Sequence, residues 1–239
     1  MKQGELVYTG KAKSLYRTGT PGELLVQFRD DITAFDGGKK EVLPRKGAFN
    51  ARVSAKIFRL LEENGIPTHF IRMDGDSAMI VRSLAMIPLE VIVRNIAAGS
   101  LVRRYPFTEG APLKPPVIVI DYKDDARHDP MLNDDIIIAL QLLSREELAR
   151  VRELALRVNE VLVQFFDAID ITLVDFKLEF GKDGAKIIVG DEISMDSMRL
   201  WDKITGESLD KDVYRFEKGD VLAVYRKVAE RALSGDDQR

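Results

Sequence analysis

The chain has 239 residues, 45% of them hydrophobic and 31% charged, which suits one large domain or two small ones with a sizeable core. Its 36 Lys+Arg and 39 Asp+Glu give a net charge of -3. They are mixed along the chain, which argues against a general nucleic-acid binder. With no cysteine and only His69 and His128 as histidines, disulfides, thiolate metal sites, cysteine nucleophiles and three-histidine zinc sites are excluded.

The first residues carry no apolar h-region, so no secretory signal is expected. The longest largely apolar stretches, Pro88–Val93 and Ile136–Leu143, fall far short of the ~20 residues of a bilayer span. A cytoplasmic chain without a membrane partner is expected. Leu6–Tyr8, Ser14–Arg17 and Glu23–Phe28 read as an antiparallel meander, with Gly10-Lys11-Ala12-Lys13 between the first two strands. A polar loop around Gly37-Gly38 and Lys46-Gly47 precedes a helix with Val53, Ile57, Leu60 and Leu61 on one stripe. Asn64-Gly65-Ile66-Pro67 ends that helix, and Phe70–Met73 with Ala78–Arg82 reads as a hairpin. Ala85-Met86-Ile87-Pro88 is the expected crossing into a second region.

Leu89–Val93 reads as a strand, Gly99–Arg104 as a helix start, Pro106–Pro116 as a proline-rich loop and Val117–Asp121 as a buried strand. Asn133 supplies an N-cap for a helix over Ile136–Leu143. Ser144 and Glu147 form a capping box that opens a long helix through Phe166. Strands at Ile171–Phe180 and Ala185–Gly190, a loop to Trp201 and a last helix at Val221–Leu233 complete the pattern, with Ser234–Arg239 expected to fray. The fold class is α+β with two lobes: a small antiparallel β-rich lobe over 1–85 and a larger α+β lobe over 86–239.

Three segments could carry chemistry. In Val174–Phe180 the apolar residues alternate with Asp175, Lys177 and Glu179, so the charges share one strand face. A half-exposed strand with a charged outer face is the plainer reading. A return hairpin through Gly181–Gly184 would bring Asp191 towards the same face, and clustered carboxylates of this kind suit Mg²⁺ held together with phosphates. Lys11 and Lys13 are two apart, so both can face a nucleotide's phosphates, although no P-loop is present. Arg94, then small residues, then Ser100 at a helix start either make an anion site or leave Ser100 as a simple N-cap. Asp124–Pro130 reads as turn chemistry, and Trp201, beside Arg199, as a packing anchor.

Taken together, GKAK (10–13), TAFDG (33–37), RKGAFN (45–50), VRNIAAGSLVRR (93–104), HDPMLND (128–134), LVDFKLEFG (173–181), GDEIS (190–194) and RLWD (199–202) occur nearly end to end. In this order they resemble the SAICAR synthetase family, the phosphoribosylaminoimidazole-succinocarboxamide synthases of purine biosynthesis. The resemblance implies a two-lobed enzyme with ATP between the lobes. ATP, Mg²⁺, carboxyaminoimidazole ribotide and L-aspartate are the implied inputs, with an acyl phosphate on the path. It implies Lys11, Lys13, Met86 and Lys123 around ATP, and Glu179 with Asp191 as Mg²⁺ ligands. Arg94, Ser100, Asp175, Lys177, Arg199 and Arg215 fall around the ribotide, of which Lys177, Asp175 and Arg199 are the catalytic expectation. Asp36 and Asp129 match acidic loop positions, and a homodimer is implied. A small-molecule kinase and a non-catalytic nucleotide sensor are the competing readings.

Overall fold

The structure, a computed structural model, describes residues 4–34 and 38–234. Asp36 and most of the expected frayed tail lie outside them. The elements run β1 (Leu6–Thr9), β2 (Lys13–Arg17), β3 (Glu23–Phe28), β4 (Asp31–Ala34), β5 (Lys39–Val42), α1 (Lys46–Glu63), β6 (Phe70–Met73), β7 (Ala78–Arg82), β8 (Ala85–Met86) and β9 (Leu89–Ile96). There follow α2 (Ser100–Arg104), β10 (Pro112–Tyr122), β11 (Met131–Leu132), α3 (Asp134–Ala139), α4 (Arg145–Asp167), β12 (Ile171–Asp183), β13 (Lys186–Gly190), β14 (Met198–Asp202), α5 (Asp212–Arg215) and α6 (Val221–Leu233). The fold is α+β, and its strands pair antiparallel throughout both main sheets.

The first sheet has the order β1-β2-β3-β7-β6 and the second β11-β10-β9-β12-β13, with β14 and β8 also on β12. Every strand before Arg82 outside the β4–β5 hairpin belongs to the first sheet, whereas Ala85 and Met86 already pair with Lys182 and Gly181 in the second. One apolar core joins the two halves. Val53, Ile57 and Leu61 on α1 and Tyr225 and Val228 on α6 are fully buried in it, at the 3–4 spacing that puts a helix's apolar stripe on one side. Burial of each such side chain stabilises by about 1.5–3 kcal/mol. The second-region helix α6 packs directly on α1.

Four local expectations need correcting. Segment 106–116, expected as a loop, enters β10 at Pro112; the register with β9 breaks between Pro112 and Val117. Prolines cannot donate to a ladder, so Pro115 and Pro116 sit where the pairing is interrupted. The loop expected up to Trp201 contains β14, where buried Met198, Leu200 and Asp202 alternate with half-buried Arg199 and Trp201. The polar loop after Phe28 contains the β4–β5 hairpin. The helix expected over Ile136–Leu143 is α3, which ends at Ala139 because Gln141 takes a left-handed conformation (φ 56°). The long helix opens on its capping box as expected: Ser144 Oγ accepts from the Glu147 N–H, and Glu147 reaches back to the Ser144 N–H.

Candidate active site

β12 is the axis of the site. Along its first half it pairs with β9 and β14, and along its second half with β13 and β8. With neighbours on both edges and Val174, Phe176, Leu178 and Phe180 buried in the core, its charged residues have little access to bulk water. Asp175 and Glu179 are buried and Lys177 is half-buried. The solvated outer face is therefore not what the strand presents. Buried charges need partners, and here two sets of partners meet the strand, one at each end.

The first set surrounds Glu179. In the β12–β13 hairpin Glu179 pairs with Gly190, so Asp191 follows one residue beyond its cross-strand neighbour. Lys123 reaches Glu179. Lys177 Nζ lies 3.2 Å from Glu179 and 2.5 Å from Glu90. Lys13 Nζ, brought in on β2, lies 2.5 Å from Asp191 and 3.1 Å from Glu192. Burial and the like charge of Asp191 push Glu179 above the usual carboxylate range. For Asp191 burial acts upward, but Lys13 and Lys177 outweigh it and hold the carboxyl well below that range. Burial also opposes the charge on Lys177, yet Glu179 and Glu90 keep its ammonium above the ordinary lysine value.

The second set surrounds Asp175. Opposite it in register stand Arg94 on β9 and Arg199 on β14. Both guanidiniums donate to Asp175 Oδ2, at 2.7 and 2.6 Å. Arg199 Nε also donates to Asp212 at 2.7 Å, and Arg215 Nη1 donates to the other oxygen of Asp212 at 2.6 Å. Arg94 Nη2 donates to Ser100 Oγ at 2.9 Å. Ser100 is therefore not an N-cap: Gly99 holds that position, without a side-chain cap, at φ 59°. Glycine is needed there for space as well, since a Cβ would come within 2.6 Å of Arg199 Nη2.

The Asp175 set and, from the Glu179 set, Lys177 and Glu90 line one cavity of about 770 Å³. Its walls hold seven cationic side chains and five carboxylates, a balance suited to an anionic ligand. Lys11 and Asp129 lie on its rim; Lys11 Nζ is 3.0 Å from Asp125, and Asp129 accepts the Asp124 N–H at 2.8 Å. Met86 stands apart from that cavity, exposed beside Gly181 and Gly190 on the β12–β13 hairpin. Trp201 is half-buried, two residues after Arg199 on β14.

The donor chemistry near Glu179 fits Mg²⁺. Glu179 and Asp191 are hard oxygen donors that repel one another, and no group of three or more metal-ligating side chains exists among the described residues. One or two carboxylates, with phosphate oxygens and water completing the shell, is the arrangement Mg²⁺ usually takes beside nucleotides.

Sequence reasoning missed several residues of this region. Glu90 sits two residues before Ile92 and four before Arg94 on β9, so its alternation was visible. Lys46 was visible only as part of a motif. It is fully buried, donates to the Asp31 carbonyl at 2.8 Å and ion-pairs with Asp196, which also accepts from Asn50 and Tyr225. Asp196, Lys211 and Asp212 line the cavity without any local signal.

Comparison with known proteins gives a consistent result. The family model described as SAICAR synthetase matches residues 6–232. A phosphoribosylaminoimidazole-succinocarboxamide synthase from Methanoregula boonei is 66% identical over 97% of this chain and 90% of its own. The one from Methanoculleus marisnigri is 63% identical over 98% and 97%. Among solved structures, a SAICAR synthetase in complex with ADP superposes with a TM-score of 0.93 at 48% identity, covering 95% of this chain and 97% of that one. The phosphoribosylaminoimidazole-succinocarboxamide synthase of Ehrlichia chaffeensis gives 0.93 at 40% identity, covering 95% and 98%.

Proposed function

The chain belongs to the SAICAR synthetase family, and from that premise we propose that it joins L-aspartate to the carboxylate of carboxyaminoimidazole ribotide at the expense of ATP. The observation that carries the reading is the single face of β12, where Asp175 with its arginines, Lys177, and Glu179 with its lysines follow one another. The relative solved with ADP supports nucleotide use.

In this reading Lys11, Lys13 and Lys123 bind the nucleotide's phosphates and Met86 lies on the adenine side, where the two lobes, 1–85 and 86–239, meet. Glu179 and Asp191 hold Mg²⁺, which supplies positive charge against the phosphates. Arg94, Ser100, Arg199 and Arg215 bind the ribotide and its phosphate. Asp175 keeps two of those guanidiniums in position. Lys177 holds the ribotide carboxylate, which is too poor an acylating group to react unaided. A carboxylate oxygen attacks the terminal phosphorus of ATP, the bond to ADP breaks, and an acyl phosphate results. The aspartate amine then attacks the acyl carbon, phosphate leaves, and the nitrogen loses a proton. Phosphoryl transfer depends on positioning and charge neutralisation, so lysines, arginines and a carboxylate-held metal suffice without cysteine or a serine–histidine pair. A homodimer in the cytoplasm belongs to the same proposal.

The test is ADP release with each substrate withheld in turn. Release that requires both ribotide and L-aspartate is expected. Release indifferent to aspartate would mark a kinase, and ATP binding without turnover a sensor; either would overturn the assignment.

A further inference from the structure

The ribotide and ATP account for most of the charged wall of the cavity, but not for Lys211. This residue precedes α5 and lines the cavity beside Asp196, Ser197 and Arg215. It is half-buried, and no acceptor among the described residues lies within hydrogen-bond distance of its Nζ. Burial lowers the affinity of its amine for a proton, Asp196 offsets part of that effect, and Arg215 and Lys46 add to it. An ammonium kept in such a wall without an acceptor is a binding element waiting for an anion.

Its position says which anion. The backbone N–H of Lys177 donates to the Ser197 carbonyl at 2.8 Å, so the segment 196–197 lies directly against β12 at the residue that holds the reacting carboxylate. Asp196 itself is already engaged by Lys46, Asn50 and Tyr225 and forms a fixed wall there. The guanidiniums of Arg94 and Arg199 converge on Asp175, on the Ser100 and Gly99 side. Lys211 lines the same cavity as Lys177 and takes no part in the ion pairs that tie Arg94, Arg199 and Arg215 to Asp175 and Asp212. A dicarboxylic amino acid must bring its amine to the carbon at Lys177 while its carboxylates are neutralised elsewhere.

We propose that Lys211 forms the subsite that grips a carboxylate of the amino-acid substrate and selects a dicarboxylic amino acid over neutral ones. This rests on the aspartate-ligation reading and deepens it.

Lys211→Met tests it, because methionine keeps the apolar stem and removes the charge. KM for L-aspartate should rise about ten- to hundredfold, the span of a lost charge-assisted hydrogen bond. KM for the ribotide and ATP, and the affinity for ADP, should change less than threefold. The preference for L-aspartate over L-asparagine in kcat/KM should shrink by a similar factor. Lys211→Arg, should the methionine variant fail to fold, should recover a KM for L-aspartate within about tenfold of the wild type. A raised KM for ribotide with unchanged KM for L-aspartate would assign Lys211 to the ribotide and overturn the inference, as would an unchanged preference over L-asparagine. If the wild-type protein itself shows no aspartate-dependent ADP release, the function reading falls as well. If the wild type shows it and both variants match its KM for L-aspartate, only the subsite falls.

Discussion

At the Glu179 end of β12 the cations are Lys13, Lys123 and Lys177; at the Asp175 end they are Arg94, Arg199 and Arg215. The lysine side chains of the first group that touch Glu179 are 43% and 30% exposed, against 6% and 15% for the two arginines on Asp175. Lysine is a compact charge on a flexible stem, whereas a guanidinium is a planar fork that can hold two acceptors at once. Arg199 uses that fork to bridge Asp175 and Asp212. The arginine end is therefore organised before a ligand arrives. The lysine end pairs its charges in a way that can be exchanged, carboxylate for phosphate, when nucleotide and metal enter.

Glu179→Gln and Asp191→Asn break the exchangeable end. Each should cost on the order of a thousandfold in turnover, read as ADP release across a Mg²⁺ series. Asp191 has φ 59°, a conformation asparagine tolerates well, so its backbone should survive the change. Near wild-type rates at limiting Mg²⁺ would reduce the lysine end to a structural ion-pair cluster.

Acid should loosen the same end first in the metal-free protein. His69 is buried, its Nε2 lacks a partner, and it lies beside Asp191 and Lys13. Burial, opposed by Asp191 and reinforced by Lys13, pushes its pKa down from 6.5 to about 4. The folded state then prefers the neutral ring, so the stability it contributes is complete above pH 6.5. It is lost as pH falls from there towards 4, to the extent of about 3 kcal/mol. Urea unfolding of wild type and His69→Gln at pH 7 and pH 4 measures it; the variant should lose less stability than wild type. Amide exchange in β13 should rise before that in β14.

Lys177 joins the two ends, and its replacement should separate chemistry from stability. Lys177→Met should slow turnover about a hundredfold. It also leaves Glu90 and Glu179 facing one another with one cation fewer, at a cost of about 2 kcal/mol in folding, below that of breaking a fully buried pair because Lys123 remains on Glu179. Adding Glu90→Gln should restore the melting temperature and leave turnover low. Recovery of both together would make Lys177 an ion-pair partner and nothing more.

The smallest effect is expected from altering the preformed end. Arg199→Lys keeps the charge and loses the bridge, so KM for the ribotide should rise about tenfold with ATP affinity little changed. Gly99→Ala, which crowds the Arg199 guanidinium, should raise the same constant by a comparable factor. Equal losses for ribotide and ATP in both variants would show that the arginine end supports the fold rather than the ribotide.

Local pattern was enough for the meander, the long helices and the capping box at Ser144, because turn residues, apolar period and caps act within a few residues of themselves. It also put Asp175, Lys177 and Glu179 on one strand face, since side-chain alternation is a property of any extended chain. Alternation cannot say what covers that face, and a charged strand in water and one buried under arginines read alike. The short strand β14 was hidden because two of its alternating positions, Arg199 and Asp202, are charged for reasons of partnership: Asp202 is buried against Lys227 and Arg231 of α6. What the sequence by itself determined was the family, the elements and the inventory of charges. Only the tertiary structure decided which charges meet. Lys13 and Asp191 are 178 positions apart, Arg94 and Asp175 are 81, and ion pairs at such separations are made by strand register and sheet order, which no local pattern encodes.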